Sequence, residues 1–458
     1  MKRKMEYNEI EQKVIHRTTP SGEFRKKTKE TVKKIRKRIE KEISRENLPV
    51  EIELVGSTAK DTYLEGNMDI DFFLVYPIHF SKKEIAEKTL KIAERILENT
   101  EHSYAEHPYL KGFFNNFEVE IVPCYHVEEA RNKISAVDRT PYHTSFVQKN
   151  LREEQKADVR LLKQFLKGIG SYGAEAEIQG FSGYLCEILI IKYQSFRELL
   201  KKTKHWKPYG TTISLDDKKH PEFDEPLVFV DPVDSERNVA SAVAEETLKL
   251  FIQASQEYLS SPRKTFFFPN PVKPWSIEKI KETLQKQKDQ YIGIKFPKPD
   301  IIDENFYPQL RKACRAINQG LAENDFNVKD ITYYAADSEE VYIIVKLENR
   351  SLSETKLHMG PPLDQEQHVQ RFLEKWRNHP RLAEDPFEKN NRIYVEIKRR
   401  YTKVEDFLQN NLEDFSLGKN LDHIIDKKYE ILSVEDLVRD KLRKFWTKYL
   451  DGKKPWER

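Results

Sequence analysis

Asp69 and Asp71 stand two positions apart in "MDIDFFLVYP", at the start of a run that otherwise reads as a buried strand. Successive strand side chains alternate faces, so both carboxylates point the same way with Cα atoms roughly 6.5 Å apart, while Ile70 points to the core. Like charges on one face repel unless a cation lies between them, and an oxygen-only donor set favours Mg²⁺ over softer metals. The spacing suits phosphoryl transfer with paired metal ions roughly 3.5 to 4 Å apart, a chemistry that usually recruits a third carboxylate from another strand. "NFEVEIVPCY" offers it: Phe117, Val119 and Ile121 would face a core, leaving Glu118 or Glu120 on the other face as the third ligand. Upstream, Gly56-Ser57 supplies a sharp turn, backbone N–H groups and a hydroxyl, the usual means of cradling a phosphate.

These groups need a scaffold, and the periodicity describes one. Residues from about 24 to 45 read as a basic amphipathic helix with Val32, Ile35, Ile39 and Ile43 on one stripe. Strands at "VEIELVG" and "DIDFFLVYP", a helix through "SKKEIAEKTLKIAERILEN", and a strand pair around "HSYAEHPYLKGFF" and "NFEVEIVPCY" complete an α/β unit of about 150 residues. From Ala157 the pattern becomes helical, and "FSGYLCEILIIKYQSFRELLKK" is apolar nearly all round, as expected of one buried helix. "VFVDPVDSERNVASAV" inserts a short strand and a proline turn before a further helix, and "FFFPNPVKPW" marks a linker. Beyond it, "YIGIKF", "PQLRKACRAINQGLAEN", "DITYYAA", "EVYIIVKLE", "DQEQHVQRFLEKWRNH" and "RIYVEIKRRY" follow the β-α-β-β-α-β order of a ferredoxin-like unit. RNA-recognition motifs share that order, but their glycine-aromatic signature is missing from "EEVYIIVKLE", so the unit is expected to touch RNA without stacking bases on that sheet. From about Val404 the chain reads as a mainly helical tail.

At 458 residues the chain exceeds one core, and 38% hydrophobic with 34% charged residues describe a soluble protein with a heavily ionised surface. The formal charge of +3 does not mark a nucleic-acid binder, but three basic clusters do suggest a large anionic partner: "FRKKTKETVKKIRKR", "KRRYTK" and "RDKLRKFWTKYLDGKK". Cys124, Cys186 and Cys314 form no CxxC pair, which speaks against a disulfide framework or zinc ribbon and fits a reducing cytosol. No apolar run approaches the roughly 20 residues that span a bilayer, so a soluble, cytoplasmic protein without a membrane partner is expected.

A Gly-Ser a dozen residues before an Asp-x-Asp is the pattern of polymerase-beta-like nucleotidyltransferases, and further stretches narrow the resemblance. "VGSTAKDTYLEGNMDIDFFLVYP", "YAEHPYLKG", "EVEIVPCY", "SAVDRTPYH", "RLLKQFLK", "YGAE", "GFSGYLCEILI", "VDPVDSERNVA" and "FPKPDIIDENFYPQL" together resemble the archaeal, class I CCA-adding enzymes, in order from about residue 50 to 310 and more weakly to the end. The resemblance implies an α+β multidomain chain: a nucleotidyltransferase head at 1–150, a helical central neck at 151–265, a ferredoxin-like body at 266–403 and a mainly helical tail at 404–458. It implies untemplated addition of the 3′-terminal CCA to tRNA from CTP and ATP with Mg²⁺, contact with the tRNA acceptor end and elbow, and room for a homodimer. By motif position the metal ligands would be Asp69, Asp71 and Glu120, and the triphosphate contacts Ser57, Lys60, His143, Lys163 and Tyr172.

Two positions depart from the family pattern: Glu120 stands where Asp is commonest, and Lys60 where Arg often stands. The first moves a carboxylate out by roughly 1.5 Å, with Glu118 as the alternative ligand. The second replaces a bidentate fork by a point charge. In "RLLKQFLK", Leu162, Phe165 and Leu166 would bury one face and leave the Lys163 ammonium free. Arg237 resembles the family arginine that helps read the incoming base, and by sequence alone it could equally pair with Asp231 or Asp234.

Overall fold

The apolar stripe on the basic helix has a partner surface: Ile35, Ile39 and Ile43 pack against Ile70, Phe72 and Leu74 of the aspartate strand in one buried cluster. These contacts come from a computed structural model of the chain, which describes residues 8–66, 68–104, 108–287, 290–335, 339–425 and 428–458. Positions 67, 105–107 and 336, which fall inside stretches quoted above, lie outside the described residues. Two compact units form, one running to Pro271 and joined by Lys453–Arg458, the other spanning Val272–Gly452.

In the first unit, helices α1 (Glu9–Thr18) and α2 (Gly22–Arg45) precede strand β1 (Glu51–Val55). A one-and-a-half-turn helix α3 (Gly56–Lys60) stands where a bare turn was expected, and β2 (Asp69–Tyr76) follows. Ser81 caps α4 (Lys82–Glu94) through a capping box with Glu84. Strands β3 (Glu98–Tyr104), β4 (Pro108–Phe114) and β5 (Phe117–Tyr125) complete a sheet ordered β1-β2-β5-β4-β3. Among the described residues of this sheet only β2 and β5 run parallel, with Asp69 opposite Glu118 and Asp71 opposite Glu120. Ile70, Phe72, Leu74 and Tyr76 share the face that α2 and α4 cover. On the other face Phe73 and Val75 join Val55, Val122 and Cys124 in a smaller cluster, and the two aspartates precede it on that same face.

The helical part holds α5 (Thr140–Asn150), α6 (Gln155–Ile169), α7 (Gly183–Tyr193) and α8 (Phe196–Thr203). The apolar run expected to be one helix is therefore two. Gln194 turns left-handed at φ 71°, and the Ser195 hydroxyl caps the next helix by accepting from the Glu198 N–H. A short β6 (Thr212–Ile213) pairs with β7 (Val228–Asp231), which turns through Pro232 into β8 (Asp234–Asn238), and α9 (Glu245–Ser260) follows. Phe165 of α6 lies at the centre of an aromatic cluster with Phe196, Phe251, Tyr258, Phe266 and Phe267. Phe266 and Phe267 are thus core residues and not part of the expected linker, which begins after them.

The second unit opens with α10 (Ile277–Gln287), β9 (Gln290–Pro297), α11 (Asp303–Glu323), β10 (Val328–Tyr334) and β11 (Glu340–Leu347). β12 (Thr355–Pro362), α12 (Glu366–Trp376), β13 (Leu382–Lys389) and β14 (Arg392–Lys398) follow as a separate body, whose three-stranded sheet runs β12-β14-β13. After α13 (Val404–Asn411) and α14 (Lys419–Ile425), β15 (Glu430–Leu432) returns to the edge of β9, and α15 (Val434–Leu437) and α16 (Arg443–Asp451) close the unit. The first sheet is antiparallel in the order β10-β11-β9-β15. The split βαβ order expected of the sequence is present, but its last strand is 430–432 and not 392–398. Leu432, Leu437 and Trp446 are what fix it there, because they share a buried cluster with Tyr291, Tyr342 and Ile344. Among the described residues no helix is long and apolar enough to cross a membrane.

Candidate active site

The acidic face of β2 is shaped by what approaches it. Gly56 opens α3 at φ +70°, and a Cβ there would lie 1.9 Å from Asp71 Oδ2, so only glycine admits both the backbone turn and the carboxylate. The Thr58 hydroxyl donates to the Asp69 carbonyl at 2.6 Å and ties this helix to the strand. Burial raises the carboxyl pKa values of Asp71 and Glu120. Burial, then Glu120 and Asp69, push Asp71 up to about 7 against the pull of Lys60 and Lys111. Glu120 is also raised, by burial and by Asp69, with Lys111 opposing. Lys111 forms its closer ion pair with Glu118 and stands 4.0 Å from Glu120, leaving Glu120 the less occupied of the two glutamates.

The donor set fits a hard divalent cation: three carboxylates, no soft ligand, and two of them driven towards protonation by burial and by the carboxylates beside them. Among the described residues, however, no three of His, Cys, Asp and Glu converge tightly enough to enclose an ion as they stand.

Beside this face lies a cavity of about 590 Å³ whose walls include Ser57, Asp69, Lys163, Lys167, Tyr172 and Glu175. Four of the residues singled out from the sequence therefore meet at one opening. The Lys163 ammonium is not free, as the helical pattern suggested. It is buried, donates to the Thr62 carbonyl at 3.0 Å and lies 3.6 Å from Glu187 Oε1. Lys60 Nζ donates to the other oxygen, Glu187 Oε2, at 2.5 Å, and the Thr62 hydroxyl donates to Oε1 at 2.5 Å. Burial lowers the Lys163 pKa against the pull of Glu187. Burial would raise the Glu187 pKa, but Lys60 and Lys163 outweigh it and hold the carboxylate charged.

His143 and Arg237 share a second buried carboxylate. His143 Nε2 lies 2.9 Å and Arg237 Nη1 2.8 Å from Asp231 Oδ2, while the Tyr184 hydroxyl donates to Oδ1 at 3.2 Å. Of the two acidic partners open to Arg237, Asp231 is the one taken; Asp234 receives Lys133 and Arg139. Burial lowers the His143 pKa, its bond to Asp231 opposing. The Tyr184 ring stacks on His143 at 4.0 Å between centroids and has Lys60 Nζ 6.0 Å above it. A continuous run of contacts thus joins Lys163, Glu187, Lys60, Tyr184, His143, Asp231 and Arg237.

Glu187, Thr62, Tyr184 and Lys167 were not singled out from the sequence. Glu187 had a visible signal: it is the one charge in "GYLCEILII", and a carboxylate inside an apolar helix must find a cation.

Three family models match successive parts of the chain: "Nucleotidyltransferase domain" over residues 33–143, "tRNA nucleotidyltransferase, second domain" over 157–268, and "CCA-adding enzyme, C-terminal domain" over 289–434. Among curated proteins, the CCA-adding enzyme of Archaeoglobus fulgidus is 35% identical over 438 residues, covering 95% of this chain and 97% of the relative. The CCA-adding enzyme of Methanosarcina acetivorans is 37% identical over 391 residues, 85% of each chain. That of Haloarcula marismortui is 31% identical over 449 residues, covering 94% of this chain and 96% of the relative.

Proposed function

The chain belongs to the CCA-adding enzyme family, and from that premise we propose how its residues divide the work. It is an enzyme that adds the 3′-terminal CCA to tRNA from CTP and ATP. In each step the 3′-oxygen of the tRNA attacks the α-phosphorus, the bond to the bridging oxygen of the β-phosphate breaks, and pyrophosphate leaves while the hydroxyl proton passes to solvent. Paired Mg²⁺ ions held by Asp69, Asp71 and Glu120 would activate that hydroxyl and neutralise the leaving group.

Ser57, Lys60, His143, Lys163 and Tyr172 bind the triphosphate, the two lysines as point charges and Ser57 and Tyr172 as hydrogen-bond donors, while His143, whose Nε2 faces Asp231, donates through Nδ1 once the ring is protonated. Arg237, held against Asp231, presents its remaining guanidinium donors to the acceptors of cytosine or adenine. The observation that carries the reading is the shared cavity: a hydroxyl, a buried ammonium and a phenol face the same opening as Asp69 of the acidic strand. We assign nucleotide chemistry to the first unit, RNA contact to the second unit, Val272–Gly452, and the activity to the cytoplasm, where its substrates are.

The test is incubation of the full chain with tRNA transcripts ending at the discriminator base, at C and at CC, each with one labelled nucleotide. Two CMP followed by one AMP is expected. Unbounded AMP addition would point to a poly(A) polymerase instead.

A further inference from the structure

Glu187 has no outlet to solvent and no place in the chemistry just described, yet it receives both lysines of the proposed triphosphate site. Its side chain is 0% exposed, and Lys60, Lys163 and Thr62 take up its two oxygens. The lysines reach it from different elements, Lys60 from the end of α3 and Lys163 from the middle of α6, while Glu187 itself projects from α7. Two ammonium groups brought together in a dry site would repel each other, and one would shed its proton or swing away. A carboxylate between them removes both outcomes. It leaves a net single positive charge and two oriented ammonium groups, of which Lys163 lies at the wall of the cavity.

Resting on the nucleotide reading of that cavity, we propose that Glu187 is a positioning residue: it holds Lys60 and Lys163 side by side, both charged, to meet a polyphosphate, without itself touching the nucleotide. Asp69, Lys167, Tyr172 and Glu175 line the cavity with Lys163, and the titratable and charged groups that act on it most are Glu187, Lys60, Cys186 and Arg160. Glu187 is the carboxylate among the latter, and Lys60 and Arg160 add to the repulsion that it offsets. Burial already lowers the Lys163 pKa with Glu187 in place, so removing the anion lowers it further.

The experiment is calorimetric titration of CTP, and separately of cytidine, into the full chain without tRNA. Glu187→Gln keeps the size of the side chain and an acceptor for Thr62 but removes the charge. CTP affinity is expected to fall about tenfold, the worth of a charge-assisted contact. The loss is expected to grow as pH rises, more steeply than in the parent chain, with cytidine binding unchanged. A folded Glu187→Gln chain with parental CTP affinity and pH response overturns the assignment.

If that variant does not fold, Glu187→Asp decides. It keeps the charge but withdraws it from the lysines, so a weaker CTP affinity with the parental pH response is expected, and unchanged affinity overturns the proposal. Lys163→Met separates the two levels of inference. Parental CTP binding by that variant removes the nucleotide reading of the cavity and this assignment with it. Loss in Lys163→Met without loss in Glu187→Gln removes only the role given to Glu187.

Discussion

Asp71 is held at a cost that the metal-free chain bears alone. Its carboxyl pKa rises from 3.8 to about 7, so the folded chain binds this proton more tightly than the unfolded chain does. The stability linked to it is complete below the unfolded value and is lost as pH rises through about 7. Asp71→Asn, which mimics the neutral acid, is therefore expected to melt at a higher temperature than the parent at about pH 8 and at the same temperature at about pH 4, while transferring no nucleotide. Equal melting curves at both pH values, or substantial transfer, would remove this account of Asp71. Divalent cation added to the parent at about pH 8 should recover most of the difference, because it supplies the missing positive charge. Gly56→Ala tests the same contact from the other side. Its Cβ has no room beside Asp71 Oδ2, so transfer should fall by at least about a hundredfold, the scale of a site displaced by about an ångström.

At the scale of elements, α6 positions the site from below. Arg160 donates to the Tyr63 carbonyl at 3.0 Å and to the Asp61 carbonyl at 2.5 Å, and Lys163 to that of Thr62, so one helix face grips the segment between α3 and β2. The other face is buried through Phe165, with five aromatic neighbours, and through Gly168, where a Cβ would lie 2.1 Å from the Phe266 carbonyl oxygen. Phe165→Ala is expected to cost about 3–5 kcal/mol of unfolding free energy, and Gly168→Ala about 1–3 kcal/mol through forced separation, both read by denaturant titration. A Gly168→Ala chain of parental stability would show that the 266–267 segment yields freely. The hydrophobic period of α6 was legible in the sequence, as were both strands of the acidic face, because 3.6- and 2-residue repeats are local properties. The break at Gln194-Ser195 and the return of β15 were not: an apolar run does not say where a capping serine will interrupt it, and a three-residue strand carries too little pattern to name its partner.

Over the whole molecule, the last six residues fold with the first unit and not with the unit that precedes them. Trp456 is fully buried, stacks on Phe266 at 5.3 Å, and donates its indole N–H to Glu257 at 2.7 Å. Trp456→Ala is expected to destabilise the first unit by about 3–5 kcal/mol and to leave the second unchanged. Two calorimetric transitions of which only one moves would bear this out; a shift of the transition belonging to 272–452 would not. The basic clusters "KRRYTK" and "RDKLRKFWTKYLDGKK" belong to the second unit almost entirely. Reversing charges there should weaken tRNA binding and flatten its salt dependence, measured by filter binding across ionic strength, and an unchanged slope would withdraw RNA from that surface.

By itself the sequence determined that Asp69 and Asp71 share a strand face, that Glu118 and Glu120 do the same on a second strand, and that the chain resembles a nucleotidyltransferase family along most of its length. Each follows from a short repeat or a contiguous motif, which the backbone converts into geometry without reference to the rest of the chain. Only the tertiary structure decided that β2 and β5 lie side by side, that Arg237 takes Asp231 and not Asp234, and that Lys60 and Lys163 are fastened to one carboxylate. Lys60 and Glu187 are 127 positions apart. A buried charge selects its partner by distance through a low-dielectric core, and no local periodicity encodes that distance.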